Sequence, residues 1–246
     1  MQARADLISE ELRERFAEAR RVLVLTGAGV SAESGVPTFR GGGGAGVWKG
    51  MPFNIISSAG MLERDLPEVW AWFDYRRGLV EKLAPNPAHA ALARWQERFR
   101  DFTLVTQNID GLHQAAGARN VIELHGSLWR GRCVSCSSRY DLRELNEQER
   151  PPICRLCGNY LRPDVVLFGE QLPLGAFELA AERARACELC FVVGTSAVVY
   201  PAAMLPEIAS RAGGAYVVEI NPERTPLSDL CDETIQGKAG EILPLL

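Results

Sequence analysis

Three groups of residues in this chain of 246 residues have types and spacing that suit chemistry. The first is Cys133-x2-Cys136 followed by Cys154-x2-Cys157. Two residues between thiolates let both bind one tetrahedral ion, and two such pairs make a closed four-cysteine site for structural zinc. The segment between them, 137–153, is polar with little core of its own, so an ion would staple it. Its acidic residues Asp141, Glu144, Glu147 and Glu149 offset the arginines, against a nucleic-acid ribbon. Two matched pairs also argue against a redox C-x-x-C. Cys187-x2-Cys190 has the same spacing but leads into Phe191-Val192-Val193, where cysteine acts as a small hydrophobe.

The second group is Gly27-Ala28-Gly29-Val30-Ser31, directly after the apolar run Arg21 to Thr26. A buried strand that empties into such a turn suits a phosphate, because glycines admit close approach and the next helix opens with free N–H groups. Ala32 stands where the looser dinucleotide fingerprint allows alanine for its third glycine. On Gly27 and Gly29 alone, an ordinary strand-to-helix turn is an equal reading.

The third group lies at the ends of other strand-like runs. Gln107, Asn108, Ile109 and Asp110 follow Phe102–Thr106, and His125 ends Asn120–Gly126 beside a glycine. Gly194, Thr195 and Ser196 follow Leu189–Val193, and Asn221 follows Ala215–Ile220. Parallel sheets place ligands at such ends. Each is singly a credible turn, but the row reads as one cleft. His125 suits a general base near neutral pH. His113, in a helix start, is the weaker candidate, and His89, in a helix's first turn with no obvious partner, is read as structural.

These residues need a frame. Apolar spacing predicts helices over 7–20, 88–98, 176–186 and 202–212, and helical pieces over 52–83 anchored by Trp70, Trp72, Phe73 and Leu79. Helices alternating with buried strands predict an α/β fold: a Rossmann-like doubly wound parallel sheet with a smaller inserted zinc-binding module and helical segment. The four glycines Gly41–Gly44 are expected in a cofactor loop that closes over its ligand. Hydrophobic residues make up 47% and charged residues 24%, with net charge −4, which suits a globular chain without a basic nucleic-acid footprint. No run has membrane-spanning length, and 1–20 carry no signal-peptide core, so a cytoplasmic location is expected. Seven cysteines, four at metal spacing, argue against a disulfide framework.

Taken in order, Gly27 to Arg40, Thr106 to His113, Glu123 to Gly126, the four cysteines, Val166 to Glu170, Gly194 to Ser196 and Ile220-Asn221 resemble the sirtuins, NAD-consuming protein deacylases. The resemblance runs from about Arg21 to the C-terminus and is nearest the bacterial class III, desuccinylase-type members. It implies a large NAD-binding domain from about 1–40, 86–126 and 166–246, with a small domain from about 41–85 and 127–165. It implies that Gly27, Ala28, Gly29 and Ser31 bind the NAD phosphates, and that Phe39 and Arg40 lie by the nicotinamide ribose. Gln107, Asn108, Ile109 and Asp110 would hold nicotinamide and its ribose, with Asn108 and His125 catalytic. Gly194, Thr195, Ser196, Asn221 and Ala239 would line the adenosine half. Val166, Phe168, Gly169 and Glu170 would pair with an extended substrate peptide.

In the implied reaction, the acyl oxygen of an acyl-lysine attacks the ribose carbon bearing nicotinamide, and nicotinamide leaves. His125 then deprotonates a ribose hydroxyl, and water completes acyl transfer to ADP-ribose. The chain departs from the class III pattern at Phe73-Asp74-Tyr75-Arg76, where that class carries Tyr-x-x-Arg in the acyl pocket. Arg76 can pair with a succinyl carboxylate, but Phe73 lacks the hydroxyl, a loss of about 1.5–3 kcal/mol. Deacetylation is implied, with desuccinylation and demalonylation left open. The partners implied are acylated lysines of proteins, with no nucleic acid or membrane, acted on by a monomer. The competing readings are an ADP-ribosyltransferase on the same fold, a non-catalytic NAD and zinc module, and, lowest, an oxidoreductase.

Overall fold

The structure is a computed structural model, and it describes residues 7–37, 47–145, 149–173 and 175–246. The Gly41–Gly44 expectation lies outside the described residues. The central strand β1 (Arg21–Thr26) shows why a sheet forms here. Val22 and Val24 enter one apolar cluster while Leu23 and Leu25 enter another, so the strand is buried on both faces. The described strands continue as β2 (Val47–Trp48), β3 (Met51–Pro52), β4 (Asp101–Thr106), β5 (Ile122–Glu123), β6 (Gly126–Cys133), β7 (Arg139–Asp141), β8 (Leu161–Val165), β9 (Leu189–Val193), β10 (Tyr216–Asn221) and β11 (Glu233–Gln236).

Six of these form one sheet in the order β11-β10-β9-β1-β4-β5. All its pairings are parallel. Chain order reverses at β1, whose neighbours are β4 and β9, so the cleft belongs at the carboxyl ends of β1 and β9.

The described helices are α1 (Glu10–Glu18), α2 (Ala28–Ala32), α3 (Phe53–Ile56), α4 (Ala59–Arg64), α5 (Leu66–Val80), α6 (Pro87–Arg98), α7 (Leu112–Ala115), α8 (Ala176–Ala186), α9 (Leu205–Gly213) and α10 (Ala239–Ile242). Phe16 of α1, Leu92 and Trp95 of α6 and Ile242 of α10 pack on one sheet face. Ala180 and Ala184 of α8 and Ala209 of α9 pack on the other. The N-terminal helix is shorter than its periodicity predicts, because Ser9 caps it and accepts from the Leu12 amide at 3.0 Å. The helix predicted from 202 opens as a 3-10 turn over Ala202–Met204. Pro206 has no N–H to give the Ala202 carbonyl, so it suits the first turn of the α-helix that begins at Leu205. The strand predicted over 120–126 is only two residues long, because the chain turns at His125 and Gly126 into β6.

Strands β7, β6 and β8 form a separate antiparallel sheet that carries the cysteine pairs. Its core borrows from α5: Trp70 is fully buried with Cys133, Cys154 and Leu161 and donates its indole N–H to the Leu161 carbonyl at 2.7 Å. The junction of the two sheets turns on Gly126. Its φ is +79°, and a Cβ there would stand 2.0 Å from the Asp164 carbonyl oxygen. Gly126→Ala therefore meets both a disfavoured backbone region and a backbone clash. Chemical denaturation should show a stability loss of about 3 kcal/mol or more.

Candidate functional site

The glycine turn after β1 packs backbone against backbone on the turn after β9. A Cβ on Gly29 would lie 2.7 Å from the Gly194 Cα, and one on Gly194 would lie 2.5 Å from the Val30 amide nitrogen. The Gly29 N–H donates to the Gly194 carbonyl at 2.7 Å, and the Gly27 N–H to that of Val193 at 3.0 Å. Gly29 thus provides close packing between two strand ends, and its N–H is engaged within the protein. Gln107 crosses the same gap, its amide donating to the Thr195 hydroxyl at 3.0 Å. Gly27, Ala28, Gly29, Gln107, Gly194 and Thr195 are therefore brought together, and Ser196 continues the β9 turn.

Ser31 and Asn108 sit one layer below. The Asn108 side-chain nitrogen lies 3.0 Å from the Gly27 carbonyl and 3.1 Å from the Ser31 hydroxyl. A carbonyl only accepts, so the amide NH2 faces inward and Oδ1 is the group left for a ligand. Ser31 is completely buried and stands 3.3 Å from Nε2 of His89, which is buried too. The Asn86 backbone N–H donates to Nδ1 of His89 at 3.2 Å, so the ring's proton is on Nε2 and donates to Ser31. His89 thus has two partners, where its sequence setting offered none. Asn86-Pro87-Ala88-His89 is a capping box, a signal that could have been read from N-cap and N3 positions.

Two further residues missed by sequence reasoning, Thr26 and Thr106, join their hydroxyls at 2.8 Å, and His113 Nε2 reaches Thr26 at 2.9 Å. Burial depresses His89 to about 4, and burial followed by the nearby His89 depresses His113 to about 3, so both are neutral at neutral pH.

Asp110 is pulled both ways. Burial raises its pKa, against hydrogen bonds from the Leu112 amide and the Ser31 hydroxyl and the charge of Arg76, with a net rise. Its carbonyl accepts from the Trp129 indole at 2.6 Å. Ile109 faces the cluster that holds Phe73, Trp72, Leu128, Val165 and Leu167. Phe73 and Arg76 of α5 are both buried. Burial lowers the Arg76 pKa, opposed by the charges of Tyr75 and Asp110. Tyr75 is 44% exposed and lies against Trp48 and Trp72 at the outer rim of that cluster.

His125 stands at the β5–β6 corner, partly buried. Its Nδ1 is 2.9 Å from the Gln107 carbonyl, which can only accept. Nδ1 therefore carries the proton of the neutral ring, and Nε2 keeps its lone pair for the cleft. Burial lowers its pKa below the ordinary 6.5, with the Gln107 hydrogen bond opposing. The segment 166–170 starts beside it: the Val166 amide donates to the His125 carbonyl at 3.0 Å. Phe168 is half exposed and stitched to α3–α4, its amide donating to Ser57 and its carbonyl accepting from Ala59. The Glu170 carboxylate, at the end of this segment, is held by Arg162 and the Leu167 amide.

Asn221 and Ala239 lie farther along the sheet, at β10 and the start of α10. Asn221 donates its side-chain amide to the Glu223 carbonyl at 2.7 Å, and Ala239 is buried. Phe39 and Arg40 lie outside the described residues.

The four cysteines Cys133, Cys136, Cys154 and Cys157 converge, all four sulfurs within 4.8 Å of one another. Pairs stand at 3.4, 3.5 and 3.6 Å. A tetrahedral zinc with bonds of about 2.3 Å sets its sulfurs about 3.8 Å apart, so the thiolates fit that ion. The Ser135 and Cys136 amides donate to the Cys133 sulfur at 3.4 and 3.5 Å, supporting its charge. Cys187 and Cys190 are buried in the sheet's core, as expected for small hydrophobes.

Residues 27–201 match the Sir2 family. The chain is 50% identical over 231 residues to NAD-dependent protein deacylase 2 of Pyrobaculum aerophilum, covering 94% of this chain and 91% of that protein. The crystal structure of a Sir2 homolog–NAD complex superposes with TM-score 0.89 at 41% identity, covering 97% of this chain and 92% of that one. A Sir2–p53 peptide–NAD+ structure superposes with TM-score 0.83 at 33% identity, covering 96% and 95%. No described helix is long and apolar enough to cross a membrane.

The shared core of Trp70, Cys133, Cys154 and Leu161 makes the metal a folding element for β6–β8. Stripping it with a strong chelator should release one zinc per chain by mass spectrometry. It should also expose 133–161 to amide exchange while β1, β4 and β9 stay protected.

Proposed function

The chain belongs to the Sir2 family, and we propose that it is an NAD-dependent protein-lysine deacylase that passes the acyl group to ADP-ribose and releases nicotinamide. One observation carries this reading. A neutral histidine, with its free Nε2 toward the cleft, is joined through its own carbonyl to the segment that would hold a substrate peptide. NAD, when bound, supplies a ribose carbon activated by its nicotinamide leaving group. The chain's residues do the rest. Gly27, Gly29 and Gly194 set the width of the cleft at the strand switch. Ala28, Ser31, Thr195 and Ser196 lie along the phosphate and adenosine path, with Asn221 and Ala239 beyond. Asn108 offers Oδ1 as an acceptor, held by Gly27 and Ser31, and Gln107 and Asp110 flank it. His125 Nε2 takes the proton of a ribose hydroxyl. Phe39 and Arg40 are assigned to the leaving-group side on family resemblance.

The six-stranded sheet and its helices form the NAD-binding domain, and the segments at about 41–85 and 127–165 form the small domain that presents the peptide. Four thiolates on one ion suit a reducing compartment, which favours the cytoplasm. A single chain supplies every residue in this reading, so a monomer suffices.

The acyl group is read as neutral. Phe73 brings no hydroxyl into its cluster, and the charge of Arg76 already faces Asp110. A succinyl carboxylate would compete with Asp110 for that guanidinium. With matched acetyl-lysine and succinyl-lysine peptides and NAD, mass spectrometry should show acetyl loss well ahead of succinyl loss. Succinyl loss first would return the chain to the class III specificity. Protein gaining ADP-ribose with neither peptide changed would replace the deacylase reading with a transferase.

The base must be neutral to act. Since burial holds His125 below 6.5, kcat/KM should be flat at neutral pH and fall only as pH drops through that lowered value. His125→Ala should abolish turnover while NAD affinity, read by calorimetry, persists.

A further inference from the structure

Resting on the deacylase reading, we infer that Arg162 and Glu170 form a clamp that positions the substrate-bearing segment, with neither residue touching substrate. Arg162 is almost completely buried at the start of the segment. Its hydrogen bonds run forward along the chain. Nε donates to the Pro163 carbonyl at 3.2 Å, and Nη2 to the Val165 carbonyl at 3.0 Å. Nη1 and Nη2 meet the two Glu170 oxygens at 2.5 and 2.9 Å. Glu170 turns back in the same way: one carboxylate oxygen accepts from the Leu167 amide at 2.9 Å, and its own amide donates to the Leu167 carbonyl at 2.9 Å. Residues 162–170 are thus closed into a loop by one two-pronged ion pair, with Gly169 at φ +89° beside the half-exposed Phe168.

The outer edge of this loop is fixed as well. Val166 is bonded to His125, and Phe168 to Ser57 and Ala59. The clamp holds one side of the segment and the histidine corner holds the other. What is left for an incoming peptide is the shape of the backbone between them. Arg162 also lies opposite Arg132 in the β6–β8 register, and Arg132 shares Asp164 with Arg130 and Arg139. The charged face of the cysteine-bearing sheet therefore continues into the clamp. This gives that module a catalytic consequence: it sets the conformation of the strand that receives the acyl-lysine. A planar guanidinium suits this task because it bonds two carboxylate oxygens and two carbonyls at fixed angles, which an ammonium does not.

The experiment uses the full chain with Glu170→Gln, Glu170→Asp and Arg162→Lys. The readouts are kcat and KM for a panel of acetyl-lysine peptides that differ one residue at a time around the lysine. NAD affinity is measured by calorimetry, and the thermal midpoint is followed alongside. Each folded variant should raise peptide KM by about tenfold or more, the scale of a lost charge-assisted hydrogen bond. NAD affinity should stay within about twofold, and the KM ratio should be the same for every peptide in the panel. Glu170→Asp keeps the charge and shortens the reach, so it reports on geometry even if the other two variants do not fold. An effect confined to peptides with one particular flanking residue would mean that Glu170 contacts substrate, and would overturn the clamp. So would a parallel loss of NAD affinity, which marks a general structural role, or an unchanged peptide KM. Failure of the wild-type chain to deacylate any peptide would instead overturn the deacylase reading on which the clamp rests.

Discussion

The rest of the molecule depends on two backbones that touch. Where the turn after β1 meets the turn after β9, the Gly29 and Gly194 chains approach so closely that a Cβ on either would overlap the other. The contact lies at the point where strand order reverses, so it fixes the floor of the cleft. Glycine is usually valued in such turns for exposing its N–H to a phosphate. Here the Gly29 N–H already serves the Gly194 carbonyl. The small residues act first on the protein itself, bringing the two strand ends to one depth, and the polar residues on either side inherit their spacing from that.

Beneath this floor the charges are kept sparse. Ser31 collects His89, Asn108 and Asp110, and both interior histidines are neutral because burial disfavours their charged forms. Neutral rings suit a buried network: each gives one donor and one acceptor, so each can fix a hydroxyl without adding a charge to be solvated. The Asn108 amide is oriented by the same logic. Its donors face fixed acceptors, which leaves a single polar atom for the cleft.

Much of this was legible in the sequence, for identifiable reasons. The strands β1, β4, β9 and β10 have apolar cores rich in β-branched residues, as strands covered on both faces tend to. Helix α8 lies at its predicted bounds, because its alanine face and terminal glycine agree with each other. The four cysteines announced themselves by spacing. What could not be read is what depends on contacts distant in sequence. The pairing of His89 with Ser31 spans 58 residues, and nothing local to either marks it. Strand β6 was hidden because Arg130 and Arg132 pair with Asp164 on its charged face while Trp129 packs against the α5 cluster on the other, a division that only the partners distant in sequence reveal. Glu170 has the right place for a substrate contact, and only the buried Arg162 shows where its carboxylate goes.

The hydrogen bond from His125 to Gln107 has a further consequence for protons. Because Nδ1 is sealed against a carbonyl that cannot take a proton, the ring has one port, and it opens to the cleft. A proton received at Nε2 must depart from Nε2. The imidazole cannot hand it inward to Ser31, His89 or the threonines, however near they lie. In the reaction proposed, proton traffic would thus be confined to the side where substrate and water come and go, apart from the interior network.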